Sequence, residues 1–122
     1  MPLLPRLLGC FAASSAGLRI GSEVVIRPGV QLGHGQIVIA GETEIGSGSA
    51  IYPGTTIGPE PRDTRGPSIG REVVIGTGAR LLGPITIGDG ARIGANAVVS
   101  EDVPPGAVAI GVPARIIPAP GT

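Results

Sequence analysis

Aromatic residues are nearly absent from this chain of 122 residues, which contains only Phe11 and Tyr52 and no tryptophan. A core centred on aromatic rings is therefore excluded. Glycine and proline are abundant instead, at 22 and 13 residues. This abundance does not indicate disorder, because 42% of the residues are hydrophobic and only 15% are charged. Glycine does not recur at every third position, which excludes a collagen helix as well.

Lysine is missing altogether, and nine arginines are offset by nine acidic residues, so the net charge is zero. Without a clustered basic surplus, nucleic-acid binding is not expected. Cys10 has no cysteine partner for an internal disulfide. No apolar run approaches the ~20 residues of a membrane span, and Pro5 and Arg6 interrupt the apolar start of the chain. We therefore expect a cytoplasmic protein without a membrane partner, in which residues 1–19 form an arm or a short helix.

Aliphatic residues recur every six positions through most of the chain. Glycine follows this aliphatic anchor eight times, and a small or β-branched residue usually stands four positions after the anchor. The thirteen anchors are Ile20, Ile26, Leu32, Ile39, Ile45, Ile51, Ile57, Ile69, Ile75, Leu81, Ile87, Ile93 and Val99.

A six-residue period is neither the 3.6 of a helix nor the alternation of an ordinary strand, and it is typical of a β-solenoid with flat sides. The anchors point inward, and the glycines stand at corners. At three sides per coil, the anchors predict about four coils and a prism about 20 Å tall. The sequence thus predicts an all-β parallel solenoid over residues 20–117 with a tail at 118–122.

Two interruptions mark candidate functional segments. One extra residue stands between Leu32 and Ile39 and accompanies His34, the only histidine. Residues 58–68 lack an anchor and contain three prolines and four charged residues, so they predict an extruded loop. After Val99 the period dissolves into a proline-rich segment, which we expect to cap the solenoid.

Several stretches carry a family resemblance: LGHGQIVI at 32–39, IYPGTTIG at 51–58, the repeats at 75–99, and the tail motifs DVPPG at 102–106 and GVPARII at 111–117. They resemble the hexapeptide-repeat acyltransferases, in the branch of the serine O-acetyltransferases and colanic-acid-type acetyltransferases. The resemblance implies a left-handed parallel β-helix, a homotrimer, and acetyl-CoA bound as co-substrate between subunits, with no metal. The expected activity is acetyl transfer from acetyl-CoA to a hydroxyl of a small molecule or sugar.

The resemblance also implies site residues. It places the general base at His34, a residue type suited to taking a hydroxyl proton near neutral pH. The carboxylate that would orient this base stays open among Glu42, Glu44 and Asp63. The acceptor would contact Asp63 and Arg65. The residues implied for coenzyme A are Gly58 near the thioester, Thr77, Ala79, Ala95 and Asn96 beside the pantetheine arm, and Arg92 and Arg115 near the phosphates.

The chain departs from the serine acetyltransferase pattern at the acceptor side. Positions where that family carries an acid or a second histidine hold Arg19, Gly33 and Gly66 here. About 19 residues stand where the family carries a large helical domain, so a dimer of trimers is not expected. We expect free serine to be a poor acceptor.

Other functions remain as alternatives. Serine O-acetyltransferase proper is one, and a catalytically degenerate β-helix scaffold is another. A zinc enzyme of the β-helical carbonic anhydrase type would need three histidine ligands, and the chain has one. An ice-binding solenoid would show stacked threonine pairs, and only Thr55 and Thr56 approach this.

Overall fold

The computed structural model describes residues 17–120, and these form fifteen short strands without a helix. The strands are β1 (Leu18–Ile20), β2 (Val25–Ile26), β3 (Gln31–Leu32), β4 (Ile37–Ile39), β5 (Glu42–Ile45), β6 (Ala50–Ile51), β7 (Thr56–Gly58), β8 (Arg65–Ile69), β9 (Val74–Ile75), β10 (Arg80–Leu82), β11 (Thr86–Ile87), β12 (Arg92–Ile93), β13 (Val98–Val99), β14 (Val108–Ile110) and β15 (Arg115–Ile117).

The strands form three flat faces of a prism. Face A has the order β1-β4-β7-β10-β13, face B the order β2-β5-β8-β11, and face C the order β3-β6-β9-β12-β14-β15. Each coil contributes one strand to each face in turn, and successive coils pair in parallel. Ile75 pairs with Ile93, eighteen residues later, as three sides of six residues require. The predicted parallel solenoid is confirmed.

The inward aliphatic residues form a continuous stack along the prism. Ile39 pairs with Ile57 on face A, and Ile45 pairs with Ile69 on face B. All anchors from Ile39 to Val99 are at most 3% exposed. The first three, Ile20, Ile26 and Leu32, are only partly buried because they lie in the first described coil and lack described neighbours on one side.

Small polar side chains fill the interior corners, and each has a hydrogen-bond partner. Thr43 Oγ1 donates to the carbonyl of Ala40 at 2.8 Å. Ser49 Oγ donates to the carbonyl of Gly70 at 2.9 Å and accepts from the N–H of Val73 at 3.1 Å. Thr55 Oγ1 donates to the carbonyl of Tyr52 at 2.7 Å. These bonds compensate for the cost of burying hydroxyl groups.

The solenoid has about five coils rather than the four expected from the anchors. Val103 forms a bridge with Ile87, and β14 pairs with β12, so the proline-rich segment completes a fifth coil. The six-residue period does not reveal this coil, because its first inward residue, Val103, follows the anchor Val99 by only four residues. β15 then turns back antiparallel on β14 and covers the edge of face C.

The extruded loop is shorter than the predicted 58–68. Gly58 ends β7 and Arg65 already begins β8, so the residues outside the strands are 59–64. The register of β5 and β8 shifts by one residue between Glu42 and Glu44, which forms a bulge next to this loop. Gly66 allows this bulge, because a Cβ there would overlap the hydroxyl of Thr43.

The ends of the chain are described only in part. Leu18 begins β1, so the first coil starts two residues before the predicted boundary at residue 20. The rest of the predicted arm or helix, residues 1–16, lies outside the described residues, as do residues 121–122 of the tail. Residues 17–120 contain no helix with the length and apolar character needed to cross a bilayer.

Two adjacent residues test the stacked core. Ile75 is fully buried, whereas the side chain of Val74 points outward and is 37% exposed. We expect Ile75→Ala to lower the free energy of unfolding by about 2–5 kcal/mol, because it leaves a cavity in the stack. Val74→Ala is the matched control and should change it by about 0.5 kcal/mol or less. Urea denaturation measures both values, and equal losses would contradict the inward stack.

Candidate active site on one edge of the prism

Four turns lie above one another where face C passes into face A, and we call this edge the turn column. It comprises residues 33–36, 52–55, 76–79 and 94–97. Backbone hydrogen bonds connect the turns: Gly54 donates to Gln36 at 2.5 Å, Gly78 to Pro53 at 3.0 Å, and Asn96 to Thr77 at 2.8 Å. The first and last turns are three coil steps apart, about 15 Å.

His34 occupies the first turn of the column between two glycines that the packing requires. A Cβ on Gly33 would lie 2.8 Å from Cδ of Pro53 in the next turn. Gly35 has a φ of 126°, and a Cβ there would lie 3.0 Å from Cβ of Pro53. The tight turn leaves His34 exposed. Its imidazole has no hydrogen-bond partner within residues 17–120.

The three carboxylates considered as orienting partners lie elsewhere. Glu44 Oε2 accepts a hydrogen bond from Arg27 Nε at 3.3 Å on face B. Glu42 Oε2 accepts from the hydroxyl of Thr64 at 3.4 Å. Within the described part of the chain, neither Glu42, Glu44 nor Asp63 contacts the imidazole of His34.

Asp63 and Arg65 pair with each other in the loop. The carboxylate of Asp63 accepts from the N–H of Arg65 at 3.0 Å and from its guanidinium at 3.4 Å. The backbone N–H of Arg65 and then its guanidinium hold the pKa of Asp63 below the ordinary value. The guanidinium of Arg65 is mostly exposed, so it remains available to a ligand on the outside of the loop.

Four of the residues implied for coenzyme A lie on the turn column, and three of them have exposed side chains. Thr77, Ala95 and Asn96 are exposed there, in the third and fourth turns. Asn96 has a φ of 61°, a left-handed conformation that asparagine tolerates in a turn. The glycines of the same two turns, Gly76, Gly78 and Gly94, add no side chains to this surface.

The two arginines implied for the phosphates lie on face C. Arg115 pairs with Ile110, which packs over Gly94 next to Ala95, so it stands near the end of the turn column. Arg92 is exposed between Val74 and Val108 on the outer surface of the same face.

Two of the residues implied for coenzyme A, Gly58 and Ala79, are buried. Ala79 is fully buried, its N–H donates to Gly76, and its carbonyl accepts from Thr56, so no group of it is left for a ligand. Gly58 is buried at the opposite edge of face A, and its carbonyl accepts from Gly83 at 3.0 Å. We therefore remove Ala79 from the coenzyme site. Its inward direction follows from the small residue that the repeat needs four positions after an anchor.

One chain alone does not assemble all the implied residues. The turn column brings together His34, Thr77, Ala95 and Asn96, with Arg115 near its end. The loop with Asp63 and Arg65 lies at the other edge of face A. Tyr52 was not selected from the sequence, although it lies in the turn column and is 50% exposed. The sequence signal that could have identified Tyr52 is an aromatic residue directly after an anchor, a position where glycine is usual.

Comparison with known proteins agrees with this geometry. The family described as bacterial transferase hexapeptide (six repeats) matches residues 66–101. A serine acetyltransferase of Mycobacterium tuberculosis is 44% identical over 98% of this chain and 55% of its own length. A serine acetyltransferase of Helicobacter pylori is 42% identical over 93% of this chain and 68% of its own length. The chain belongs to the serine acetyltransferase family.

A solved structure supports the same assignment for the fold. The serine acetyltransferase of Brucella abortus, solved in complex with coenzyme A, is 31% identical and aligns with a TM-score of 0.74. The alignment covers 97% of this chain and 48% of that one. The predicted left-handed β-helix of the acyltransferase type is therefore confirmed. The chain spans about half to two thirds of the length of these relatives.

The loop ion pair can be tested by titration. In the wild-type chain we expect the carboxyl of Asp63 to titrate below the ordinary pKa of 3.8. Replacing the side chain in Arg65→Ala should raise the pKa of Asp63 but leave it below that value, since the backbone N–H of residue 65 still donates. Carboxyl carbon NMR shifts measure both. Arg27→Ala, which removes a cation from face B, is the control, and an unchanged Asp63 pKa in Arg65→Ala would contradict the pairing.

Proposed function

We propose that this chain is an acetyl-CoA-dependent O-acetyltransferase that acts on a small hydroxyl-bearing acceptor. The observation that carries the proposal is the turn column, which aligns His34 with Thr77, Ala95 and Asn96 in a chain of the serine acetyltransferase family. Its relative from Brucella abortus binds coenzyme A. No metal is included in the proposal, and residues 17–120 contain no cluster of three potential metal ligands.

In the proposed mechanism, His34 is the general base. Its imidazole takes the proton of the acceptor hydroxyl as that oxygen attacks the thioester carbonyl. A backbone N–H stabilises the oxyanion of the tetrahedral intermediate. The intermediate then collapses, the C–S bond breaks, and the imidazolium returns the proton to the departing thiolate. The exposed ring of His34, with no competing hydrogen bond from residues 17–120, supports this role.

The pantetheine arm would lie along the turn column with its thioester toward His34. Asn96 and Thr77 offer polar groups beside it, and the small side chain of Ala95 leaves room for the arm. Arg115 and Arg92 would meet the phosphates at the far end, because both guanidinium groups are exposed on that part of face C.

The assembly is part of the proposal. His34 and the loop of Asp63 and Arg65 lie at opposite edges of face A, so a complete site needs the loop of a neighbouring subunit. A homotrimer provides this arrangement, because the same two edges meet three times around a closed ring. The cytoplasmic location stays a prediction of the sequence.

Serine O-acetyltransferase proper is the second candidate, and the names of the relatives favour it. Against it, Arg19, Gly33 and Gly66 offer no acid or imidazole to bind the amino acid. A panel of acceptors decides between the two, with thiol release from acetyl-CoA as the readout. Turnover with serine on the order of 10 per second would establish the second candidate.

Removing the base should stop the chemistry without affecting binding. We expect His34→Ala to lower turnover by roughly 10² to 10⁴, since the acceptor hydroxyl loses its proton acceptor. Coenzyme A affinity, measured by calorimetry, and the particle mass, measured by light scattering, should stay unchanged. Gln36→Ala, in the same turn, is the control. Wild-type turnover in His34→Ala would overturn the mechanism, whereas no thiol release from the wild-type chain with any acceptor would favour a non-catalytic scaffold.

The donor site has its own test. We expect Ala95→Trp to abolish coenzyme A binding, because an indole on the turn column would occupy the path of the pantetheine arm. Thr86→Trp adds the same bulk to an exposed position on face B and should leave the affinity unchanged. Calorimetric titration with coenzyme A measures both variants, and equal affinities would show that the arm lies elsewhere.

A further inference from the structure

The two ends of the solenoid are covered to different extents. In the last coil, the inward side chains of Val103 and Ala109 are at most 2% exposed. The chain itself covers this end: Ile116 of β15 packs against the core, and a Cβ on Gly106 would lie 3.1 Å from Cβ of Ala119. The C-terminal end of the prism is therefore closed by the segment that follows the last coil.

The first coil has no comparable cover within residues 17–120. Its inward residues Ile20, Ile26 and Leu32 are only partly buried, as is Val30 in the turn between the last two. Their strands β1, β2 and β3 are the edge strands of faces A, B and C. We call this surface the open end. Exposed apolar surface beside three unpaired strand edges is unfavourable in water and favours association with another segment.

The chain enters the solenoid at the rim of the open end. Gly17 directly precedes β1 and has a φ of 76°, a conformation that glycine commonly adopts where the chain changes direction. A Cβ on Gly17 would lie 3.8 Å from the carbonyl oxygen of Gly35 and 3.9 Å from Cγ of Gln36. Residues 1–16 are therefore attached at the open end, beside the turn of His34.

The amino-acid sequence of residues 1–16 suits this surface. It contains five large apolar side chains at intervals of three and four residues, and a single charged side chain, Arg6. The apolar five are Leu3, Leu4, Leu7, Leu8 and Phe11. Such intervals place apolar side chains on one side of a segment. The aromatic ring of Phe11 is too large for the narrow interior of the prism, but an end surface sets no such limit.

We propose that residues 1–16 dock across the open end and cover Ile20, Ile26 and Leu32, as the C-terminal segment covers the last coil. The occupant is this segment of the same chain, because it is apolar and is attached at the rim of the surface. The docking is independent of acetyl transfer, and neither of its tests uses turnover.

The first test locates the segment in the intact chain. Cys10 is the only cysteine and is not one of the apolar five, so a nitroxide attached to its sulfur marks the segment alone. We expect this label to broaden the methyl NMR signals of Ile20, Ile26 and Leu32 strongly. The methyl signals of Val103, four coil steps or about 19 Å further along the prism, should broaden much less.

Two results of the labelling would overturn the inference. The first is broadening that is strongest on an outer face, for example at Val74. The second comes from a mixture of nitroxide-labelled chain with isotope-labelled Cys10→Ser chain, in which only contacts between chains broaden the signals. Broadening of the Ile20 methyl in this mixture as strong as in the labelled chain would assign the open end to a second copy.

The second test measures the protection that the segment gives to the first coil. Three amides of this coil donate to carbonyls of the second coil at 2.8 to 3.0 Å, one on each face. They belong to Gly21, Arg27 and Gly33. The N–H of Gly88, which donates to Val103 at the far end at 2.8 Å, is the internal reference.

We expect Phe11→Ser to accelerate hydrogen exchange of the three first-coil amides about tenfold, because the end opens more often when its cover binds less well. Ala13→Ser introduces the same side chain at a position that is not one of the apolar five, and should leave exchange within about twofold. The amide of Gly88 should not change in either variant. Unchanged first-coil exchange in Phe11→Ser, or equal acceleration at Gly88, would contradict docking at the open end.

Discussion

The structure depends on one packing constraint: the inward side chain of each strand must stack on the equivalent side chains of the coils above and below. Ile51 and Ile75 meet in register on face C, as do Ile45 and Ile69 on face B. The narrow prism admits aliphatic, Ala, Ser and Thr side chains and no aromatic ring. Because parallel strands of only two to five residues cannot be stable alone, the stack supplies the burial that holds them.

The same constraint places the chemistry at the edges. Interior positions are occupied by the stack, and the backbone groups of neighbouring coils are paired along the faces. Polar side chains can therefore vary only on the outer surfaces and at the corners between faces. His34 projects from such a corner, and Asp63 and Arg65 lie in an insertion at another. Function can change in this fold through such outer positions, whereas Gly33 and Gly66 are also constrained by close packing against Pro53 and Thr43.

Some features of the site could be predicted from the amino-acid sequence, and others could not. The position of His34 at an irregular turn was visible as one extra residue in the period. The exposed positions Thr77, Ala95 and Asn96 came from resemblance to a family. The burial of Ala79 could have been read from the repeat, because small residues four positions after an anchor point inward. The family resemblance instead implied that Ala79 contacts coenzyme A.

The sequence alone determined the solenoid, because an aliphatic residue recurs every six positions. Each flat side of a coil has six residues, so this period places one aliphatic side chain per side in the interior. The sequence could not determine the fifth coil, because Val103 follows the last anchor at an irregular spacing. Its place in the core is visible only in the structure, where it forms a bridge with Ile87 in the neighbouring coil. The sequence also could not show that Asp63 pairs with Arg65 and not with His34. Only the tertiary structure placed Tyr52, Pro53 and the turn of His34 together, because residues about twenty positions apart become neighbours when one coil stacks on the next.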